Sequence, residues 1–190
     1  MDDMEATATR APSTAPAALS LRDLEDVFKE HHTMVFRAAY RITGNAEDAE
    51  DVLQTVFLRL SRREDDAADV GHLTGYLRRA ATNAAFDLLR GRQRAKSMPL
   101  EDVEPLLSDD ASRSPERVYQ ATEMRDWLRK TVARLSPMAA QVFALRFFEE
   151  KENPEIAQIL GTSVGAVSLT LSRARDRVEQ EFKTYWRTQS

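Results

Sequence analysis

The sequence predicts an all-α protein of two small helical domains joined by a flexible acidic linker, the second domain containing a helix-turn-helix. Three observations carry this. Apolar residues recur three and four apart through most of residues 21–96 and again beyond residue 115, the spacing of helices with one buried face. Between Ser97 and Ser114 that period is lost and the chain turns acidic, with Glu101, Asp102, Glu104, Asp109 and Asp110 among Pro99 and Pro105. Near the end, Asn153 to Arg175 reads as two helices about a glycine turn. The resulting division is a disordered tail over 1–18, a first domain over 19–96, a linker over 97–114 and a second domain over 115–190.

The first helix is expected from Leu21 to Ile42, with Leu24, Phe28, Val35, Ala39 and Ile42 on one face and Gly44 ending it. Asn45 then caps a second helix whose stripe is Ala49, Val52, Leu53, Val56, Phe57 and Leu60; Asp48, Asp51, Gln54, Thr55 and Leu58 take the other side. Arg62 to Gly71 is charged, has no stripe and reads as a loop. A third helix from Leu73 to Arg90 buries Leu73, Leu77, Ala80, Ala84 and Leu88 and stops near Gly91, leaving Arg78, Arg79, Asn83, Phe86, Asp87 and Arg90 along its outer side. In the second domain Ser114-Pro115 and Ser136-Pro137 open helices, the first with a core face of Trp127, Leu128, Thr131, Val132 and Leu135, the second carrying Val142, Phe143, Leu145, Phe147 and Phe148.

Within the last motif Asn153 caps a short helix with Pro154 in its first turn; Ile156, Ala157 and Leu160 are its apolar side and Gly161 its left-handed end. Ser163 opens the next helix, which buries Val164, Val167, Leu171 and Ala174 and runs to about Trp186. Gly165, Ala166, Ser168, Leu169, Thr170, Ser172 and Arg173 are left on or beside the outward side. Small side chains there let the backbone approach a major groove, and Arg173, Arg175 and Arg177 can reach phosphates. An ordinary helical hairpin fits this stretch too, so other parts of the chain must decide.

Composition narrows the function. At 190 residues, 42% apolar and 31% charged, the chain describes a soluble globular protein without any run near the ~18 apolar residues of a membrane span, so no membrane insertion is expected. The acidic N-terminus does not read as a secretory signal, and a cytoplasmic location is expected. The absence of cysteine excludes disulfides, thiolate metal sites and a cysteine nucleophile, and His31, His32 and His72 lack a metal-ligand spacing. There is no glycine-rich phosphate loop and no serine-centred elbow, so no catalytic residue, cofactor or metal is assigned and no enzyme is expected. The formal net charge of −4 is unevenly spread. Tyr76 to Lys96 holds six basic residues against Asp87 alone, whereas Gly44 to Asp51 holds Glu47, Asp48, Glu50 and Asp51 and no base. Such blocks suggest one surface for a polyanion and another for a different partner. Arginines beside Asn83 and Phe86 favour nucleic acid over a merely solvated helix.

Three blocks resemble bacterial sigma factors of the extracytoplasmic-function (ECF) group, in matching order over about Leu21 to Trp186. Asp48-Ala-Glu-Asp-Val-Leu-Gln-Thr-Val-Phe-Leu-Arg-Leu60 is similar to the helix that grips the clamp of the largest RNA polymerase subunit. Tyr76-Leu77, Asn83, Asp87 and Arg90 resemble the helix that reads and melts the minus-ten element. Leu135-Ser-Pro and the helix-turn-helix ending Leu171-Ser-Arg-Ala-Arg175 resemble the domain that reads the minus-thirty-five element and sits on the polymerase flap. The resemblance implies core-polymerase contacts by Asp48, Glu50, Asp51, Gln54, Phe57 and Leu58; minus-ten contacts by Arg78, Arg79, Asn83, Phe86, Asp87 and Arg90; and minus-thirty-five contacts by Ser163, Gly165, Ala166, Ser168, Leu169, Thr170, Arg173 and Arg175. It also implies an anti-sigma factor as regulator, a linker passing through channels later used by RNA, and capture of a melted base between Arg62 and Gly75. One departure stands out: where the group usually carries a basic and polar triplet, this chain has Ser168-Leu169-Thr170, which implies an unusual or weakly held upstream element. Two alternatives remain, a sigma-like protein that sequesters an anti-sigma factor without reading promoters, and a free-standing repressor.

Overall fold

The computed structural model describes residues 21–62, 73–96 and 115–189, and every regular element among them is a helix. They are α1 (Leu21–Thr43), α2 (Ala46–Arg62), α3 (Leu73–Lys96), α4 (Pro115–Ala133), α5 (Pro137–Phe147), α6 (Asn153–Leu160) and α7 (Val164–Gln189). The expected tail over 1–18, most of the Arg62 to Gly71 loop and the 97–114 linker lie outside the described residues.

Local chemistry sets the ends of these helices. Gly44, at φ 73°, takes the left-handed conformation that closes α1, and Asn45 Oδ1 accepts the backbone N–H of Glu47 at 2.8 Å to open α2. Ser136 Oγ likewise accepts from the Ala139 N–H, with Pro137 in the first turn of α5. The start of α6 differs from expectation. Asn153 is already helical, and the flanking Glu152 donates its N–H to the Glu155 carboxylate at 2.9 Å. Asn153 Nδ2 instead donates to Ser168 Oγ at 3.0 Å, pinning α6 to α7. Gly161, at φ 63°, ends α6 as expected.

α1, α2 and α3 pack together over Val35, Ile42, Val52, Val56, Leu60 and Leu77. α5, α6 and α7 enclose a smaller cluster of Val142, Leu145, Ile156, Leu160, Val167 and Leu171. The larger cluster does not stop at the first domain. It continues through Val132, Ala140, Phe143, Ala144 and Ala174, so α3 is covered by α4, α5 and α6 as well as by α1 and α2.

Several expected faces shift in consequence. Phe86, assigned to the outer side of α3, is 1% exposed, because a helix packed on opposite sides has more than one buried stripe. α3 also continues past Gly91 to Lys96; contacts of Arg90, Arg92 and Gln93 with other elements hold the extra turn against the intrinsic cost of glycine. Conversely, Phe28 is 41% exposed, with its ring edge-on to Phe57 at 4.9 Å, and Val164 is 45% exposed at the open start of α7.

Candidate nucleic-acid and partner interfaces

Three surfaces hold the residues singled out in the sequence. On α2, Glu50, Asp51 and Gln54 are exposed and Leu58 is 53% exposed, an acidic strip with one apolar side chain at its end. Two assigned members are not on that strip. Asp48 has a side chain 1% exposed, forked by both Arg92 Nη groups, and Phe57 is buried against α1. Burial pushes the Asp48 carboxyl above its ordinary 3.8 while the Arg92 guanidinium pulls it back; Asp51 and Glu47 add to the rise. Asp48 is therefore an anchor between α2 and the C-terminal turn of α3, and an outward role for it is withdrawn.

On α3 the assigned residues are divided. Arg79 and Asp87 are exposed. Arg78 Nη1 meets Glu149 Oε2 at 2.5 Å, and Arg41 reaches the other oxygen of that carboxylate at 3.1 Å. The Asn83 amide oxygen accepts from Gln141 Nε2. Arg90 donates from Nε to the Ala133 carbonyl at 2.9 Å and from Nη2 to that of Leu135 at 3.4 Å, while its guanidinium lies 5.9 Å from the Phe86 ring centre. The side expected to face solvent is thus largely occupied by α4, α5 and the turn after α5. Arg92 and Arg94 remain exposed beside it.

Sequence reasoning missed Glu149, Gln141 and Arg41. Glu149 sits in an irregular turn where no period applies, and Glu150 beside it adopts a left-handed φ of 55°, rare outside glycine. Gln141 offered a signal, a polar residue inside the apolar run from Ala140 to Leu145.

On α7, Ser163, Gly165, Ala166, Ser168, Leu169, Arg173 and Arg175 are exposed and Thr170 is half-buried. Ser163 Oγ accepts the Ala166 N–H at 3.1 Å, and Ser168 Oγ donates to the Val164 carbonyl at 3.0 Å. With Ser168 engaged, Leu169, 53% exposed, is the largest apolar side chain left projecting from the start of α7.

The sequence matches two families in succession, Sigma-70 region 2 over residues 27–95 and Sigma-70 region 4 over residues 125–178. The ECF RNA polymerase sigma factor SigE of Mycolicibacterium smegmatis is 30% identical over 156 residues, 81% of this chain and 59% of that protein. The RNA polymerase sigma-E factor of Streptomyces avermitilis is 30% identical over 162 residues, 85% of this chain and 86% of the relative. This chain belongs to the ECF sigma factors. A solved structure of CnrH in complex with the cytosolic domain of CnrY shares the fold, with a TM-score of 0.51 at 22% identity over 86% of this chain and 89% of that one. In sigma-factor terms α1 to α3 fall in region 2, and α5, α6 and the helix-turn-helix fall in region 4, so the contacts that cover α3 join the two regions. No described helix is long and apolar enough to cross a membrane.

Proposed function

We propose that this ECF sigma factor is a cytoplasmic, non-enzymatic specificity subunit that binds core RNA polymerase and directs initiation at particular promoters. The observation that carries the reading is the succession of a region 2 and a region 4 on one chain, the latter presenting an open helix-turn-helix face. The domains are 19–96 and 115–190 about the 97–114 linker, and an anti-sigma factor is the regulatory partner. Transcription by core polymerase with and without the chain, on promoters mapped by start-site sequencing after overexpression, tests it. Absence of any promoter that requires the chain would refute it. One observation favours a second reading, a protein that only sequesters an anti-sigma factor: much of the α3 face is covered. Initiation in vitro would exclude that.

Docking on the largest-subunit clamp falls to Glu50, Asp51, Gln54 and Leu58. Asp51→Arg and Leu58→Ala are each expected to weaken core binding about five- to tenfold, on the order of 1 kcal/mol for exposed interface residues, without moving the unfolding midpoint. Unchanged affinity in both variants would move the docking face elsewhere.

At the upstream element, Arg173 and Arg175 supply phosphate contacts and Leu169 meets a thymine methyl in the major groove. Replacing the critical thymine by deoxyuridine should cost about 0.8 kcal/mol, roughly fourfold in promoter affinity, the worth of one buried methyl group. Leu169→Ala should abolish that difference. If no upstream position distinguishes thymine from deoxyuridine, Leu169 does not read DNA in this way.

A further inference from the structure

We propose that the last turns of α3 and the turn between α4 and α5 together form a binding site for a small organic polyphosphate, a molecule of the nucleoside triphosphate class. A cleft of about 440 Å³ opens there, lined by Arg90, Gln93 and Arg94 from α3 and by Ala133, Arg134 and Leu135. That volume falls within the ~300–1,000 Å³ of small-molecule sites and exceeds what a single inorganic phosphate fills. Three of the lining residues are arginines and none is acidic, so the cleft favours an anion. Its chemistry is independent of whether the chain reads promoters.

The arginines differ in what they have left to give. Arg90 is spent as a donor: Nε and Nη2 meet the Ala133 and Leu135 carbonyls, and Nη1 meets Asp87 at 3.2 Å. It is a fixed positive wall. Arg94 is exposed and its side chain has no partner among the described residues, so its whole donor fork is available. Arg134 stands between these cases. Its Nη2 makes two long contacts, to Glu181 Oε2 at 3.3 Å and to Thr131 Oγ1 at 3.4 Å, and its side chain is 56% exposed. An exposed ion pair of that length is worth little, so a phosphate can take the guanidinium from Glu181. Planar guanidinium forks match phosphate oxygens, and a chain of phosphates offers each of the two its own anion. Ala133 and half-buried Leu135 add an apolar side on which a flat ring can lie, and Gln93, whose Nε2 donates to the Lys130 carbonyl at 3.1 Å, helps hold that side in place. An inorganic polyphosphate leaves it empty. Arg90, Gln93 and Arg94 fall in region 2 and the other three residues in region 4, so the occupant touches both and stabilises the folded chain by mass action.

Calorimetric titration of the full chain with ATP, GTP and inorganic tripolyphosphate, in magnesium-free buffer at fixed salt, tests the site. At least one nucleotide should bind with one-to-one stoichiometry and raise the unfolding midpoint, and tripolyphosphate should bind about tenfold more weakly for want of a ring. Arg94→Ala and Arg134→Ala should each weaken nucleotide binding about tenfold or more, the loss of a charge-assisted contact. Arg59→Ala, the same change of charge on the exposed side of α2, should leave it within about twofold. Glu181→Gln removes the carboxylate that competes for Arg134 and should tighten binding about two- to threefold, a gain that damage to the fold cannot mimic. No saturable binding of either nucleotide at millimolar concentration, equal affinity for nucleotide and tripolyphosphate, or a nucleotide affinity indifferent to Arg94→Ala and Arg134→Ala would each overturn the proposal. If those two variants lower the affinity for duplex DNA and leave nucleotide binding unchanged, the cleft serves the DNA backbone and the proposal fails.

Discussion

Phe86→Ala is expected to lower the stability of the fold by about 3–5 kcal/mol, a large share of the ~5–15 kcal/mol that holds a domain of this kind together. The ring is 1% exposed in the larger cluster, where Ala81, Ala84 and Ala85 are its neighbours on α3. Alanines have no side chain to swing into a vacated volume, so the site collapses poorly and the cost falls toward the upper end. The Arg90 guanidinium beside the ring would lose its aromatic partner too. Arg79→Ala, on the exposed side of the same helix, should stay within about 0.5 kcal/mol of the parent. Urea midpoints of the two variants separate the cases. A Phe86→Ala chain with an unchanged midpoint would put the ring back on the surface, where the helical period alone had set it.

That contrast marks where the sequence is readable. The stripe of α2 could be read residue by residue, since Ala49, Val52, Leu53, Val56, Phe57 and Leu60 all face inward and the start of the helix is fixed by its neighbour Asn45 in the chain. Helix existence and the Gly44 and Gly161 stops are likewise local matters. α3 was misread because a helical wheel assumes one buried face, whereas this helix touches α1 and α2 on one side and α4, α5 and α6 on others. The pairs that decide its surface lie 71 residues apart for Arg78 and Glu149 and 58 apart for Asn83 and Gln141, beyond the range of any periodic pattern. The exposed candidates on α2 and α7 were accessible for the opposite reason: among the described residues nothing distant covers Asp51, Leu58 or Leu169.

Arg92→Ala is expected to cost about 2–3 kcal/mol near neutral pH, and the loss should shrink as the solution is acidified. Removing the guanidinium strands the Asp48 carboxylate, 1% exposed, with Asp51 and Glu47 close enough to repel it. Breaking a fully buried pair costs about 3–5 kcal/mol; two features reduce that here. Arg92 itself is 54% exposed, so the pair is partly screened, and Asp48 stands in the first turn of α2, where the helix dipole favours an anion. The sign of the pH effect follows from proton binding. The folded-state pKa of Asp48 is already raised above 3.8, so its favourable contribution is complete below the unfolded value and lost as pH rises through the folded one. Without Arg92 the opposing pull disappears and the folded value climbs further. The variant should therefore gain more stability than the parent as the pH falls from neutrality toward the ordinary carboxyl value of 3.8, closing part of the gap between them. Asp48→Asn in the same background removes the stranded charge at every pH, and should restore stability near neutrality while flattening the pH dependence. Unfolding midpoints of the parent, Arg92→Ala and the double variant across that range decide the point; a gap that stays constant would mean that the Asp48 carboxylate is solvated in the folded chain and does not anchor α2 to α3.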